Sequence, residues 1–210
     1  MFSEIDSGSS MIDSSSNIFD DIRLYLPKYL SAERQEDLRA ELRQFPNNRS
    51  IYSNRNVEDE MLQGDGWRGF IAIDFHSRQD KVLSGLVVSN SCDTDRRNTR
   101  PISTNILFAP LVREEAYGAA LIDAGKSQEQ RDDILTSIRL QQVTFLMHLP
   151  GITGEFEPSI ARFDDLRGHP LDAFFGGGTS RVFRLSDFGL YLLLFKLSLH
   201  FTRMQEGVAR

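Results

Sequence analysis

Cysteine occurs once in the 210 residues, at Cys92. One thiol excludes an intramolecular disulfide and any multi-cysteine zinc site. Histidine occurs four times, at His76, His148, His169 and His200, too widely separated for a His-x-x-x-His ligand pair. No metal and no cofactor are expected. Long apolar runs are missing too. The longest, Phe188 to Phe195, is closed after eight residues by Lys196, whereas a membrane span needs about twenty. The first sixteen residues are acidic and Ser-rich, without the basic start and apolar stretch of a signal peptide. The chain therefore reads as cytoplasmic, with no membrane partner. Positive charge is in deficit, 24 Lys and Arg against 30 Asp and Glu, for a net of −6. That balance argues against coating nucleic acid through bulk charge.

With 40% hydrophobic and 26% charged residues, the chain has the composition of one globular domain able to bury a core. The charge is unevenly spread. Residues 1–65 hold 13 acidic and 7 basic side chains, residues 66–150 hold 10 of each, and residues 151–210 hold 7 of each. The acidic excess belongs to the N-terminal third, so the neutral remainder is free to carry a local basic site. The N-terminal segment becomes a candidate docking arm, or a strap over a basic loop.

Apolar spacing predicts helices over 17–45. Ile18, Ile22, Leu26 and Tyr29 mark a first helix that Pro27 breaks or kinks; Ser31 caps a second, carrying Leu38, Leu42 and Phe45. Strands are expected over 70–75, 82–88, 105–112, 143–149, 159–163 and 181–185. Gly85 within a strand marks a bulge or a close backbone approach, and Pro110 suggests an edge or a strand exit. Two helices are expected over 113–142, the second opened by the capping box Ser127 to Gln130. Ser186 is the expected cap of a last helix reaching about Gln205. That helix is apolar on nearly every side, so it is either the central core helix or part of a subunit contact.

Several residues are candidates for chemistry. Cys92 is a nucleophile candidate with His76 or His148 as base; otherwise it is a small half-buried thiol beside a turn bond from Asp93. Arg96, Arg97 and Arg100 form a basic loop able to take RNA or DNA phosphate, or are solvated partners of Asp93 and Asp95. Lys196, His200 and Arg203 fall at i, i+4 and i+7 on one helix face, a binding stripe or a set of cations suited to a helix C-terminus. Asp164-Asp165 is an acidic step that either holds Mg²⁺ or ends a strand.

Gly64-Asp65-Gly66 leading a strand, Val87-Val-Ser-Asn-Ser-Cys-Asp93 ending the next, and Phe108-Ala-Pro-Leu-Val112 in the third give an order that resembles the core of the MazF/PemK-type toxin superfamily. The match covers residues 64–112, as in a divergent bacterial branch. The resemblance implies an SH3-like β-barrel, often dimeric, whose active members cleave single-stranded RNA without a metal. Arg78 fills the place of the basic residue in the first strand-to-strand loop. Val112 stands where active members carry a hydroxyl, so Ser89 and Ser91 become the alternative hydroxyl partners. The expectation is an α+β protein: residues 1–16 a tail, 17–50 a helical pair packed on the body, and 51–210 a distorted SH3-like barrel with added helices. Its expected role is a non-catalytic binding or assembly subunit of a bacterial toxin–antitoxin or phage-defence system, with a protein partner or a homo-oligomer. The alternative is a metal-independent endoribonuclease.

Overall fold

The computed structural model describes residues 51–53, 60–74, 78–98 and 100–202. The tail, the helices expected over 17–45, His76 and Arg203 lie outside the described residues.

Among the described residues seven strands form one antiparallel sheet. They are β1 (Gly66–Asp74), β2 (Gln79–Val87), β3 (Asn105–Arg113), β4 (Leu146–Leu149), β5 (Ser159–Arg162), β6 (Arg167–Pro170) and β7 (Ser180–Phe183). The order is β4-β5-β3-β2-β1-β7, with β6 also paired to β3. The terminal strands β4 and β7 do not pair with each other, so the expected closed barrel is corrected to an open sheet among the described residues. Among the described residues five helices accompany it: α1 (Ser91–Thr94), α2 (Glu114–Asp123), α3 (Gln128–Arg139), α4 (Leu171–Phe174) and α5 (Asp187–Thr202). The architecture is α+β, and no described helix is long and apolar enough to cross a membrane.

β3 organises the sheet. Gly85 to Val87 of β2 pair with Phe108 to Pro110 on one edge. On the other, β6 pairs with Asn105 to Phe108 and β5 with Leu111 to Arg113. A short 3-10 turn, Phe163–Asp165, joins those two partners. Pro110 is therefore interior, not at the sheet edge as its residue type suggests. The Leu107 backbone bonds toward β2, through Val88 N–H and Ser89 Oγ, so two-residue alternation turns the Pro110 nitrogen to the other edge. It falls in the gap between β6 and β5, where no N–H is needed.

The sheet has two apolar faces. On one, Trp67, Phe70, Val87, Ile106 and Phe108 pack with Leu171 and Phe174 of α4. Phe70 and Phe108 stack at 3.9 Å. Gly85 makes that stack possible, because a Cβ there would lie 2.4 Å from Phe108 Cδ2. On the other face, α5 lays Phe188, Leu192, Leu193, Phe195 and Leu197 over Leu86, Ala109, Met147 and Ala161. Each fully buried side chain of this kind contributes about 1.5–3 kcal/mol through removal from water. α5 is thus the core helix its all-round apolar pattern suggested. Ser186 caps it, Oγ accepting Gly189 N–H at 3.1 Å.

α3 covers β4 and β5 through Leu135 and Ile138 on Leu146 and Ile160, with Tyr117 of α2 packed against them. Gly125, at φ +86°, ends α2: its N–H reaches Ile122 O at 2.8 Å and that of Lys126 reaches Leu121 O at 3.0 Å. The Ser127 capping box opens α3 as expected.

Candidate functional site

One end of the sheet gathers the loops that follow β2 and α4, and with them most of the candidate residues. Asn90 Oδ1 accepts Cys92 N–H at 2.9 Å and turns the chain into α1. Thr94 is buried, its hydroxyl on Met61 O at 2.7 Å. Ser89 Oγ accepts Leu107 N–H at 2.8 Å, and Ser91 Oγ accepts Gln63 N–H at 3.0 Å. Both serines therefore pin backbone.

The arginines of this loop are engaged within the protein. Arg97 takes Asp95 at 2.9 Å and Glu60 Oε1 at 3.0 Å, and this guanidinium holds the Asp95 carboxyl below its usual range. Arg100 Nη2 meets Asp93 Oδ1 at 2.5 Å. Arg96 lies over the Phe175 ring at 4.9 Å, a cation–π contact. Asp93 thus pairs with an arginine, while Asn90 makes the turn bond expected of Asp93. Cys92 is exposed rather than half-buried. No base is shown beside it: His76 is outside the described residues, and His148 is engaged elsewhere.

Beneath the loop, Asp65 is fully buried and carries a bond set that the sequence reading missed. Arg184 donates from Nε to Oδ1 and from Nη2 to Oδ2, each at 2.9 Å, and Leu62 N–H adds a third bond at 3.0 Å. Arg184 Nη2 also reaches Glu60 O at 2.9 Å. Glu60 thereby joins the buried pair to Arg97 on the surface.

Arg78 stands apart. It sits in the β1–β2 turn at φ +55°, exposed, with its N–H on Asp74 O. The nine residues of β2 separate it from Ser89, a span of about 30 Å at ~3.3 Å per residue. Arg78 and Ser89 or Ser91 cannot act on one scissile phosphate. Val112 is at the opposite end of β3 from the Ser89 loop.

A second polar cluster joins α2, α3, β4 and α5. Lys196, expected on a cationic face, is instead 2% exposed. Its Nζ donates to Gln141 O at 2.8 Å and Val143 O at 2.9 Å, and burial pulls its pKa down to about 7. It does not share an exposed stripe with His200, which packs near Phe163. Gln141 follows α3 at φ +60°, with its N–H on Ile138 O at 2.9 Å. A glycine would take that conformation with less strain. The Gln141 side chain is used instead, spanning the His148 backbone with bonds of 2.7 and 3.2 Å. His148 Nε2 lies 3.0 Å from Glu114 Oε2 with poor N–H alignment, and Glu114 also receives Arg139. Burial lowers the His148 pKa; the Arg139 hydrogen bond lowers that of Glu114. The bonds join four elements.

The acidic step is divided: Asp164 pairs with Arg162 at 2.8 Å and Asp165 with Arg167 at 3.0 Å. His169 is buried between Phe70 and Phe174. Among the described residues, no three His, Cys, Asp or Glu side chains gather as metal ligands. The loop end carries arginine, aromatic and apolar side chains: Arg96 over Phe175, and the exposed Ile102. No protein-family model matches this chain, and no curated protein matches it.

Proposed function

We propose that this chain is a non-catalytic binding subunit, a reworked SH3-like sheet of MazF/PemK type serving in a bacterial toxin–antitoxin or phage-defence assembly. The separation of Arg78 from Ser89 and Ser91 carries this reading, because those groups would have to meet at one phosphate for cleavage. The serine hydroxyls are also committed to Leu107 and Gln63 N–H groups. The SH3-like descent is supported by the sharing of β3 between β2 and the β5–β6 pair across a 3-10 turn. Arg167 Nη1 also reaches Ile73 O at 3.5 Å, drawing the β6 side toward β1.

The docking surface in this reading is the loop end. Arg96 on Phe175, Arg97, Arg100 and the 82% exposed Ile102 put arginine and apolar groups side by side, a composition favoured at protein interfaces. Because Asp93 and Asp95 already neutralise two of the arginines, a protein partner fits this surface better than a bare phosphate backbone.

Two measurements test the proposal. Incubated with single-stranded RNA, with and without chelator, the purified chain is expected to leave the RNA intact. Cleavage that Arg78→Ala abolishes overturns the reading. Co-expressed with the products of its neighbouring genes, the chain is expected to co-purify stoichiometrically with one of them, and Arg96→Glu with Ile102→Asp to release it. A monomer that retains none of them also overturns it.

A further inference from the structure

The β1–β2 hairpin runs past the rest of the sheet. β7 pairs with β1 only from Gly66 to Arg68, and β3 with β2 only from Gly85 to Val87. The outer part, 70–74 with 79–83, is a two-stranded ribbon, a structure marginal in water without packing. Its inner face is packed: Phe70 and Ala72 are buried, and Leu83 lies against the aromatic core. Its outer face carries Ile71 at 51% exposure, Ile73 at 56% and Val82 at 75%, with Ile71 directly opposite Val82.

This patch belongs to the α5 side of the sheet. Val82 and Leu86 are four residues apart on β2, which pairs without a bulge of its own, so they share a face. Leu86 lies in the cluster beneath α5, and so does Ile51, which is 2% exposed. Ile51 O accepts Ser186 N–H at the start of that helix. The chain therefore enters the described structure on the face whose outer part is bare. Fifty residues precede Ile51, with Ile18, Ile22, Leu26 and Tyr29, then Leu38, Leu42 and Phe45, at helical spacing. Such a stripe needs an apolar surface to lie on.

We propose that the Ile71–Ile73–Val82 face is the seat of this chain's own N-terminal segment, residues 17–45. The lengths agree. From Phe70 to Asp74 the outer strand covers about 13 Å at ~3.3 Å per residue. The apolar stretch from Leu38 to Phe45 covers about 12 Å at ~1.5 Å per residue of helix. This seat is distinct from the loop end and does not depend on the function proposed for it.

Hydrogen exchange on the full chain tests the seat. In the wild type, amides of 17–45 are expected to be protected. Val82→Lys, a change at an exposed strand position, is expected to speed their exchange about tenfold or more while 146–197 stays unchanged. Leu42→Asp is expected to speed exchange across 70–74 and 79–83. Absence of protection in 17–45, or protection indifferent to Val82→Lys, overturns the proposal. So does a concentration-dependent dimer, seen by light scattering, that Val82→Lys dissociates, because the seat would then belong to a second copy.

Discussion

Asp65 and Arg184 lie 119 residues apart and meet in a two-pronged ion pair, both bonds at 2.9 Å, with no exposed surface on the carboxylate. The pair ties the turn before β1 to the residue after β7. Removing one partner leaves a buried charge uncompensated. Asp65→Ala or Arg184→Met is expected to lower stability by about 3–5 kcal/mol in urea unfolding. The double variant is expected to lose less than the two losses added together, because neither charge is then stranded.

Lys196 makes stability depend on pH in the alkaline range. Its folded pKa is about 7, against 10.5 for the free side chain, so between those values the unfolded chain binds a proton that the folded chain does not. Stability should therefore rise from pH 7 toward pH 10.5, with no contribution to the slope below 7. Thermal melts of wild type and Lys196→Met across that range are the check. The difference between the two is expected to change with pH only above about 7.

On the acid side, His148 and Glu114 act in different windows. The His148 pKa is depressed below 6.5 by burial, so its contribution is complete above 6.5 and fades as pH falls below it. The Glu114 pKa is depressed below 4.5, chiefly by Arg139, so its contribution is held above 4.5 and fades below. In melts from pH 7 to pH 3, His148→Gln is expected to flatten the upper window and Glu114→Gln the lower.

Gly85→Ala should overpack the aromatic core. The added methyl would stand 2.4 Å from Phe108 and 2.9 Å from Phe70, so the stacked rings must part. A loss of about 1–3 kcal/mol is expected in chemical denaturation. The near-ultraviolet dichroism of the aromatic side chains should weaken with it.

Local signals in the sequence carried well into the structure. The Ser127 box, the Ser186 cap and the close approach at Gly85 are all seen, because each depends on neighbours a few residues away or on the absence of a side chain. Lys196 was misread because i, i+4 spacing is the same whether a side chain meets solvent or two backbone carbonyls. β6 was missed because Arg167-Gly-His-Pro170 has little intrinsic strand preference; it pairs because β3 offers a free edge there. The loop candidates Cys92, Arg96, Arg97 and Arg100 do gather at one end of the sheet, as their closeness in sequence requires. Arg78 does not join them, since a nine-residue strand lies between. Asp65 and Arg184 gave only a faint sign, a charge set in Val182-Phe-Arg-Leu185.

The place of α5 after all seven strands in chain order has a consequence for synthesis. Phe183, Leu185, Phe188, Leu192, Leu193, Phe195 and Leu197 all line the larger apolar cluster. Until they emerge, a nascent chain has β1 to β6 with one greasy face open and the outer edge of β1 unpaired. Such surfaces invite contacts between chains. A chain cut before Asp187 should therefore give insoluble product rather than a smaller folded protein.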